Sequence, residues 1–308
     1  MTEAALALAA WGRCPAPRLI KDRENAVYAA TLPDGTRAAL RLHRPGYQSA
    51  EAIRSELIWT EALAGAGLPV PRPLRTAEGA LIHSLPGGRI ASLVAWVPGV
   101  PLGTAGTRLS APPETFHRIG QLLARIHDAT DALTLPAGFT RPAWDADGLL
   151  GDAPLWGRFW KNPALSQPES ALLLQARDAA RRHLDALSPG ADTGLIHADL
   201  MRENILLDGA ALHLIDFDDS GFGFRAYDLA TLMLQNLAEP GYPDLLAAAA
   251  EGYASRRPLT TAELPFFVAL RCFASCGWAV PRLPPASPGL RAYAERALAQ
   301  ARRLLDGF

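Results

Sequence analysis

The chain has 308 residues, 49% hydrophobic and 20% charged, with a formal net charge of -1. That length suits two lobes sharing one cleft, and the near-zero charge gives no field to attract nucleic acid or an anionic membrane. Three cysteines cannot form a disulfide framework, and Cys272 and Cys276 lack a His or second Cys pair to complete a zinc site, so all three read as small buried side chains. The chain opens without the basic start and apolar run of a signal peptide, and Arg271 interrupts the longest apolar stretch, Pro265 to Val280. A soluble, cytoplasmic protein is expected.

In chain order, Val27 to Leu32 and Arg37 to Leu42 are short apolar runs separated by Pro33-Asp34-Gly35, the chemistry of a tight β-hairpin turn. From Ser49, an N-cap, Ile53, Leu57, Thr60 and Ala64 recur at helical spacing until Gly65 and Gly67. Glu56 shares that face. A carboxylate turned into a core needs a partner, and Arg41 on the preceding strand is the candidate; the alternative is that Glu56 borders the stripe and stays wet. Leu93 to Val97 reads as another strand. Pro98-Gly99 then begins a linker, which sets a lobe boundary between 1–98 and 99–308.

Phe116, Ile119, Leu122, Leu123 and Ile126 predict a core helix over about Pro113 to Asp128. Leu133 to Pro168 is rich in Pro, Gly and Trp and reads as loops with short helices, followed by a helix from Glu169 to Leu187. Strand-like segments follow at 195–196, 205–207 and 212–215, with Asp208-Gly209 as the turn joining the last two. Beyond Tyr227 the chain is Ala- and Leu-rich, and only helices are expected.

The densest chemistry lies in His197-Ala198-Asp199-Leu200-Met201-Arg202-Glu203-Asn204, followed by Ile215-Asp216-Phe217-Asp218. This ordered set resembles the catalytic loop of protein-kinase-like phosphotransferases, in particular the aminoglycoside phosphotransferase and choline kinase superfamily. Among its branches it is most similar to the bacterial group with type II homoserine kinase and stress response kinase A. The resemblance runs from about Arg23 to Arg303 in element order, but its motifs are specific only between His197 and Asp228. It implies an α+β, bilobal protein-kinase-like fold: a small N-terminal lobe of antiparallel sheet plus one helix, and a larger, mainly helical C-terminal lobe with an acceptor-binding insertion over 130–189.

The resemblance also implies ATP and Mg²⁺ as cofactors, with transfer of the γ-phosphoryl group to an alcohol. The transition state of that reaction is loose, so the protein chiefly positions reactants and neutralises charge. Asp199 would accept the proton of the acceptor hydroxyl, and Asn204, Asp216 and Asp218 would offer hard oxygen ligands to magnesium. The Asp208-Gly209 turn should bring Asn204 and Asp216 side by side. His197 would hold the loop through its ring, and Asp228 resembles the buried Asp that accepts backbone N–H bonds from it; a plain helix N-terminal acid is the alternative for Asp228.

On the nucleotide side, Arg41 stands where the family's phosphate-binding Lys is usual, with Glu56 as its partner. The loop Lys21 to Tyr28 carries no glycine. Val27, Ala39 and Ile215 would sandwich the adenine, and backbone groups near Ala95 to Val97 would bond its edge; each of these side chains could equally be simple core.

Acceptor identity should be written in the insertion, where Trp144, Trp156, Phe159 and Trp160 form either an aromatic cage or anchors for an irregular loop. Trp156, Trp160 and Asp219 are the acceptor-site candidates. Arg271, Arg282, Arg291, Arg296, Arg302 and Arg303 outnumber the acids of the C-terminal segment, which disfavours a polycationic antibiotic and suits a neutral or carboxylate-bearing hydroxyl compound such as an amino acid or sugar alcohol, although they could also be solvated helix faces. The expected acceptor is a small molecule of the amino acid, sugar or amino-alcohol type. A Ser/Thr protein kinase and a catalytically weak nucleotide-binding regulator are the alternatives.

Overall fold

A computed structural model describes every residue except Met1, Arg23 and Phe308. The chain divides into two compact units, the first formed by Met1–Pro101, Ala129–Arg141 and Ile205–Asp218, the second by Leu102–Asp128, Pro142–Asn204 and Asp219–Phe308. Among the described residues, no helix is long and apolar enough to cross a membrane.

The first unit opens with helix α1 (Glu3–Leu8) and strands β1 (Arg18–Asp22), β2 (Ala26–Thr31) and β3 (Arg37–Leu42). Then come helix α2 (Ala50–Gly65) and strands β4 (Ile82–Ser84), β5 (Ile90–Ala95) and β6 (Val100–Pro101). Five of these strands make an antiparallel sheet in the order β1-β2-β3-β5-β4. Period-two alternation gives the sheet two different faces. Ala26, Ala30, Ala38, Leu40, Leu42, Ala91 and Leu93 point to one face, where they pack with Ala4, Ala7 and Leu8 of α1. Val27, Arg41 and Ser92 line up across the other, as do Ala29, Ala39 and Val94. Ile53 and Leu57 of α2 pack on that second face with Val94 and Ile90.

The expected hairpin and the Ser49 helix are present, with Ser49 Oγ accepting from the Ala52 N–H at 3.1 Å. α1 and β1 escaped the sequence reading: α1 spans only six residues, with Ala4, Ala7 and Leu8 at helical spacing over little more than one turn, and all five residues of β1 are exposed.

In the second unit α3 (Pro113–Asp131) begins the helical body. It continues through β7 (Ala143–Trp144), α4 (Ala146–Leu150), α5 (Gln167–Leu187) and β8 (Thr193–Ile196). A hairpin of β9 (Ile205–Asp208) and β10 (Ala211–Leu214) folds with the first unit, where β6 pairs with β9. Gly99 is required for that pairing: its φ is +117° and a Cβ there would lie 2.8 Å from the Leu207 carbonyl oxygen. Then come β11 (Gly221–Phe224), α6 (Arg225–Met233), α7 (Tyr242–Ala254), α8 (Leu264–Trp278) and α9 (Pro288–Asp306). β11 pairs antiparallel with β8 and parallel with β7, a small sheet that its two glycines hid from the sequence.

α8 is the axis of the second unit, buried from Leu264 through Gly277 apart from Pro265 and packed against α6 and α9. Helices α3 and α7 approach to backbone contact, because a Cβ on Gly120 would lie 2.1 Å from the Ala249 carbonyl oxygen and one on Gly252 would lie 1.9 Å from that of His117. We therefore expect Gly120→Ala to cost about 1–3 kcal/mol through overpacking. The measurement is a thermal melt, and an unchanged midpoint would contradict this packing.

Candidate active site

The chemistry-bearing residues fall into two clusters, one in each unit. In the second unit, the loop after β8 is held by a buried carboxylate. Asp228, in the first turn of α6, accepts the His197 N–H at 2.9 Å, the Ala198 N–H at 2.7 Å and the His127 Nε2–H at 3.0 Å. Burial acts to raise its pKa, but the His127 bond and the other donors outweigh it and hold the group ionised. An ionised carboxylate only accepts, so His127 carries its proton on Nε2, and its Nδ1 accepts from the Tyr253 hydroxyl at 2.8 Å. Burial, its largest influence, lowers the pKa of His127 and keeps it neutral. Of the two readings of Asp228 from sequence, the geometry is that of the loop anchor.

Between those bonds Ala198 adopts φ +63°, a left-handed conformation that costs a non-glycine residue free energy and persists only where its surroundings enforce it. The next residue is Asp199. Its Oδ1 accepts from Arg271 Nη2 at 2.9 Å and its Oδ2 from Asn204 Nδ2 at 3.0 Å. Asn204 Nδ2 also donates to the Asp199 carbonyl at 2.8 Å, which fixes the orientation of that amide and leaves its Oδ1 as the free acceptor. The Asp199 N–H lies 3.3 Å from His197 Nδ1.

Arg271 went unassigned in the sequence, grouped with the C-terminal arginines. It is buried within α8, with its guanidinium 4.4 Å from the centroid of the Trp156 ring. Others of that group serve elsewhere: Arg291 pairs with Glu169 and Glu295, and Arg282 covers Trp278.

Three of the four insertion aromatics are anchors. Trp144 is buried, stacks on Tyr227 and donates its indole N–H to the Asp219 carbonyl at 2.8 Å; Phe159 stacks on Phe273; Trp160 is covered by Phe159 and by Arg177. Trp156 is half-buried, and the cation over its face is the protein's own Arg271. Asp219 is half-buried. Cys272 and Cys276 are buried free thiols, pushed up by burial to about 12 and about 11.

In the first unit, Arg41 Nη1 donates to Glu56 Oε1 at 2.8 Å, so Glu56 points inward and is paired. Arg41 Nη2 lies 3.7 Å from Asp216 Oδ1, and Nη1 lies 3.7 Å from Asp218 Oδ1. One guanidinium thus faces three carboxylates. Burial works against its charge, but Glu56, Asp216 and Asp218 together keep Arg41 protonated.

Asp216 is another non-glycine residue at positive φ, +66°. The turn that carries it is tied by residues the sequence did not flag: Arg141 donates to the carbonyls of Ala52 at 2.9 Å and Asp218 at 2.5 Å, and Asn25 Nδ2 to Asp218 Oδ2 at 3.0 Å. Burial and the neighbouring Glu56 raise Asp218 to about 6, against the pull of Arg41. β9 and β10 pair Ile205 with Leu214, as the Asp208-Gly209 turn requires. Val27, Ala39 and Ile215 are half-buried, while Arg23 of the preceding loop lies outside the described residues.

A divalent metal fits the donors present. The buried Oδ1 of Asp218 and Oε2 of Glu56 have no hydrogen-bond donor among the described residues, and Asp216 is 44% exposed at its side chain. No three His, Cys, Asp or Glu side chains among the described residues form a chelating group by themselves. Such a sparse set of hard oxygens suits an ion that takes its remaining ligands from phosphates and water.

An antiparallel sheet with one helix in the first unit and a mainly helical second unit is the fold of protein-kinase-like phosphotransferases. The chain belongs to the phosphotransferase enzyme family, whose profile matches residues 16–264. Its structure resembles that of a microcompartment-associated aminopropanol kinase, with a TM-score of 0.84 and 30% identity over 98% of this chain and 97% of that one. An amicoumacin kinase solved with AMP-PNP, Ca²⁺ and Ami follows at a TM-score of 0.77 and 21% identity, covering 99% and 91% of the two chains.

By sequence the chain is 35% identical to an uncharacterized protein of Deinococcus radiodurans over 76% of its own length and 68% of that protein's. It is 27% identical to the amicoumacin kinase of Bacillus subtilis (73% and 65% covered) and 34% identical to the homoserine kinase of Rhizobium johnstonii (66% and 60%). The match thus spans less than two thirds of the length of these two named kinases. The protein is a phosphotransferase that acts on hydroxyl groups. The named relatives are small-molecule kinases and lend no support to the protein Ser/Thr kinase alternative.

The buried Asp218 makes a prediction about stability. A carboxyl whose pKa rises on folding weakens the fold as pH climbs from the unfolded value, 3.8, toward the folded one, about 6. Asp218→Asn should therefore raise the thermal midpoint of the metal-free protein at pH 7.5, by a free energy on the order of 1–3 kcal/mol. The gain over wild type should shrink at pH 4.5, and a gain of the same size at both pH values would contradict the assignment.

Proposed function

We propose that the protein moves the γ-phosphoryl group of ATP, with Mg²⁺, onto the hydroxyl of a small molecule of the amino acid, sugar or amino-alcohol type. The observation that carries this reading is the double hold on Asp199, whose oxygens are engaged by Arg271 and Asn204 immediately after the strained Ala198. A carboxylate fixed in that way can orient an acceptor hydroxyl and take its proton as the oxygen–phosphorus bond forms.

Arg41, kept charged and directed by Glu56, would bind the α- and β-phosphates; this pairing also weighs against a regulator that has lost catalysis. Its two-pronged guanidinium reaches Glu56 and still faces Asp216, which the single ammonium of a Lys could not match in the same way. Val27 and Ala39, half-buried on the sheet face that carries Arg41, and Ile215 would flank the adenine. The N–H groups of Ala95 and Trp96 are taken by the carbonyls of Arg72 and Arg37, whereas among the described residues no hydrogen bond engages the Val97 N–H, which is left for the adenine edge.

Asp216 and Asp218 would hold the metal. When bound, Mg²⁺ would neutralise charge on the phosphates. An amino-alcohol acceptor accords with the 30% identity to the aminopropanol kinase over nearly the whole chain.

The test is ADP release with ATP and Mg²⁺ against panels of amino alcohols, hydroxy amino acids and sugars. Turnover should appear with a member of these panels, and nucleotide binding without turnover on any of them would overturn the proposal. Asp199→Ala should lower kcat by about 10³-fold or more while nucleotide affinity stays within about twofold. Asp216→Ala should weaken metal-nucleotide binding as well, so equal activity of Asp199→Ala and wild type would reject the assigned base.

A further inference from the structure

Arg271 belongs to no motif, yet it is the cation that meets the candidate base. α8 is otherwise apolar and buried, and an arginine in its middle costs several kcal/mol unless its charge is paired; its Nε has no hydrogen-bond partner among the described residues, so the two terminal nitrogens carry the pairing. Its Nη1 donates to Ser275 Oγ at 2.9 Å, one turn along the helix, its Nη2 donates to Asp199 Oδ1 at 2.9 Å, and its flat face lies on Trp156. The pair is lopsided: the Arg271 side chain is 3% exposed and that of Asp199 23%. A pair serving only the core would bury both members, whereas here the cation is sealed and the carboxylate keeps a face toward solvent.

Trp156 is in turn fixed from behind. A Cβ on Gly277 would lie 2.5 Å from the Gly157 carbonyl oxygen and 2.8 Å from that of Trp156, so the insertion backbone rests directly on α8. Trp144 meets the Trp156 ring edge-on at 4.9 Å. The order of support runs from Gly277 through Trp156 to Arg271 and then to Asp199.

We propose that Arg271 is a positioning residue for phosphoryl transfer: clamped by Trp156 and Ser275, it holds the Asp199 carboxylate in the rotamer that faces the acceptor hydroxyl. Asn204 fixes the second oxygen, so the carboxylate is held at both ends, and loss of the Arg271 bond frees it to rotate. The inference rests on Asp199 being the base, and its test separates the two.

In Arg271→Ala, kcat should fall about 10–100-fold, the scale set by a small displacement of a reacting group. The KM for ATP should stay within about twofold. Guanidinium ion at millimolar, non-denaturing concentration should restore part of the lost rate in Arg271→Ala but none in Asp199→Ala. Arg271→Lys should retain an intermediate rate. Arg282→Ala, which removes another cation stacked on a tryptophan, should keep the wild-type rate. Crystal structures of Arg271→Ala with and without guanidinium give a readout independent of turnover, because Asp199 should leave its rotamer and then return.

An Asp199 that stays in place, or a rate loss with no guanidinium rescue and no gain in Arg271→Lys, overturns the proposal. Should Arg271→Ala fail to fold, Trp156→Leu removes the clamp alone and should lower kcat with ATP KM unchanged; a wild-type kcat there likewise overturns it. A wild-type protein inactive on every acceptor, with Asp199 still moving in Arg271→Ala, would instead fault the assignment of Asp199 as base.

Discussion

The carboxylate of Asp228 accepts two consecutive backbone N–H groups and a histidine in the interior of the second unit, and the geometry of the catalytic loop follows from that grip. Ala198 would not hold φ +63° by itself, since a residue with a Cβ pays free energy in the left-handed region. Two hydrogen bonds to an ionised acceptor offset that cost. The reversal at Ala198 then sends the Asp199 side chain toward Arg271 and Asn204. His127 and Tyr253 complete the network, so a buried charge in the protein core becomes a fixed reference for the chemistry.

The two units solve different electrostatic problems. In the first, a single guanidinium faces Glu56, Asp216 and Asp218, which leaves carboxylate oxygen unsatisfied and Asp218 hard to ionise. That excess of negative charge is unfavourable in the bare protein and becomes useful only with a cation present. In the second, the charges at the base balance one to one between Asp199 and Arg271, and hydrogen bonds fix the geometry. Strained, non-glycine residues mark both places, Asp216 in one and Ala198 in the other.

Much of the architecture was legible because it is local. Ser49 caps α2 as its sequence position suggests, the Asp208-Gly209 turn sets the β9–β10 register, and the apolar repeat from Phe116 to Ile126 forms α3. The Glu56–Arg41 pair could be inferred because helix period and strand alternation both turned charges inward. What escaped were short or weakly patterned pieces: α1, with one turn and a half; β1, exposed on both faces; and β11, with glycine at alternate positions. β1 and β11 carry no hydrophobic period and the period of α1 is too short to be read alone, so each forms because a neighbour is there to cover it or pair with it.

The reaction class was legible from the sequence through the resemblance that the His197–Asn204 and Ile215–Asp218 segments bear to the phosphotransferase family. Helix period made Arg41 a candidate partner for Glu56 and left a solvated Glu56 open; the 2.8 Å bond decides for the pair. The surroundings of Asp199 come from long-range packing: Arg271 lies 72 residues further along the chain, and of the six C-terminal arginines it alone sits on α8, the helix buried along nearly its whole length. The same holds for Trp156, which differs from Trp144 and Trp160 only in what packs around it. Arg141 and Asn25 likewise reach the Asp218 turn from distant segments, by contacts that no local spacing encodes.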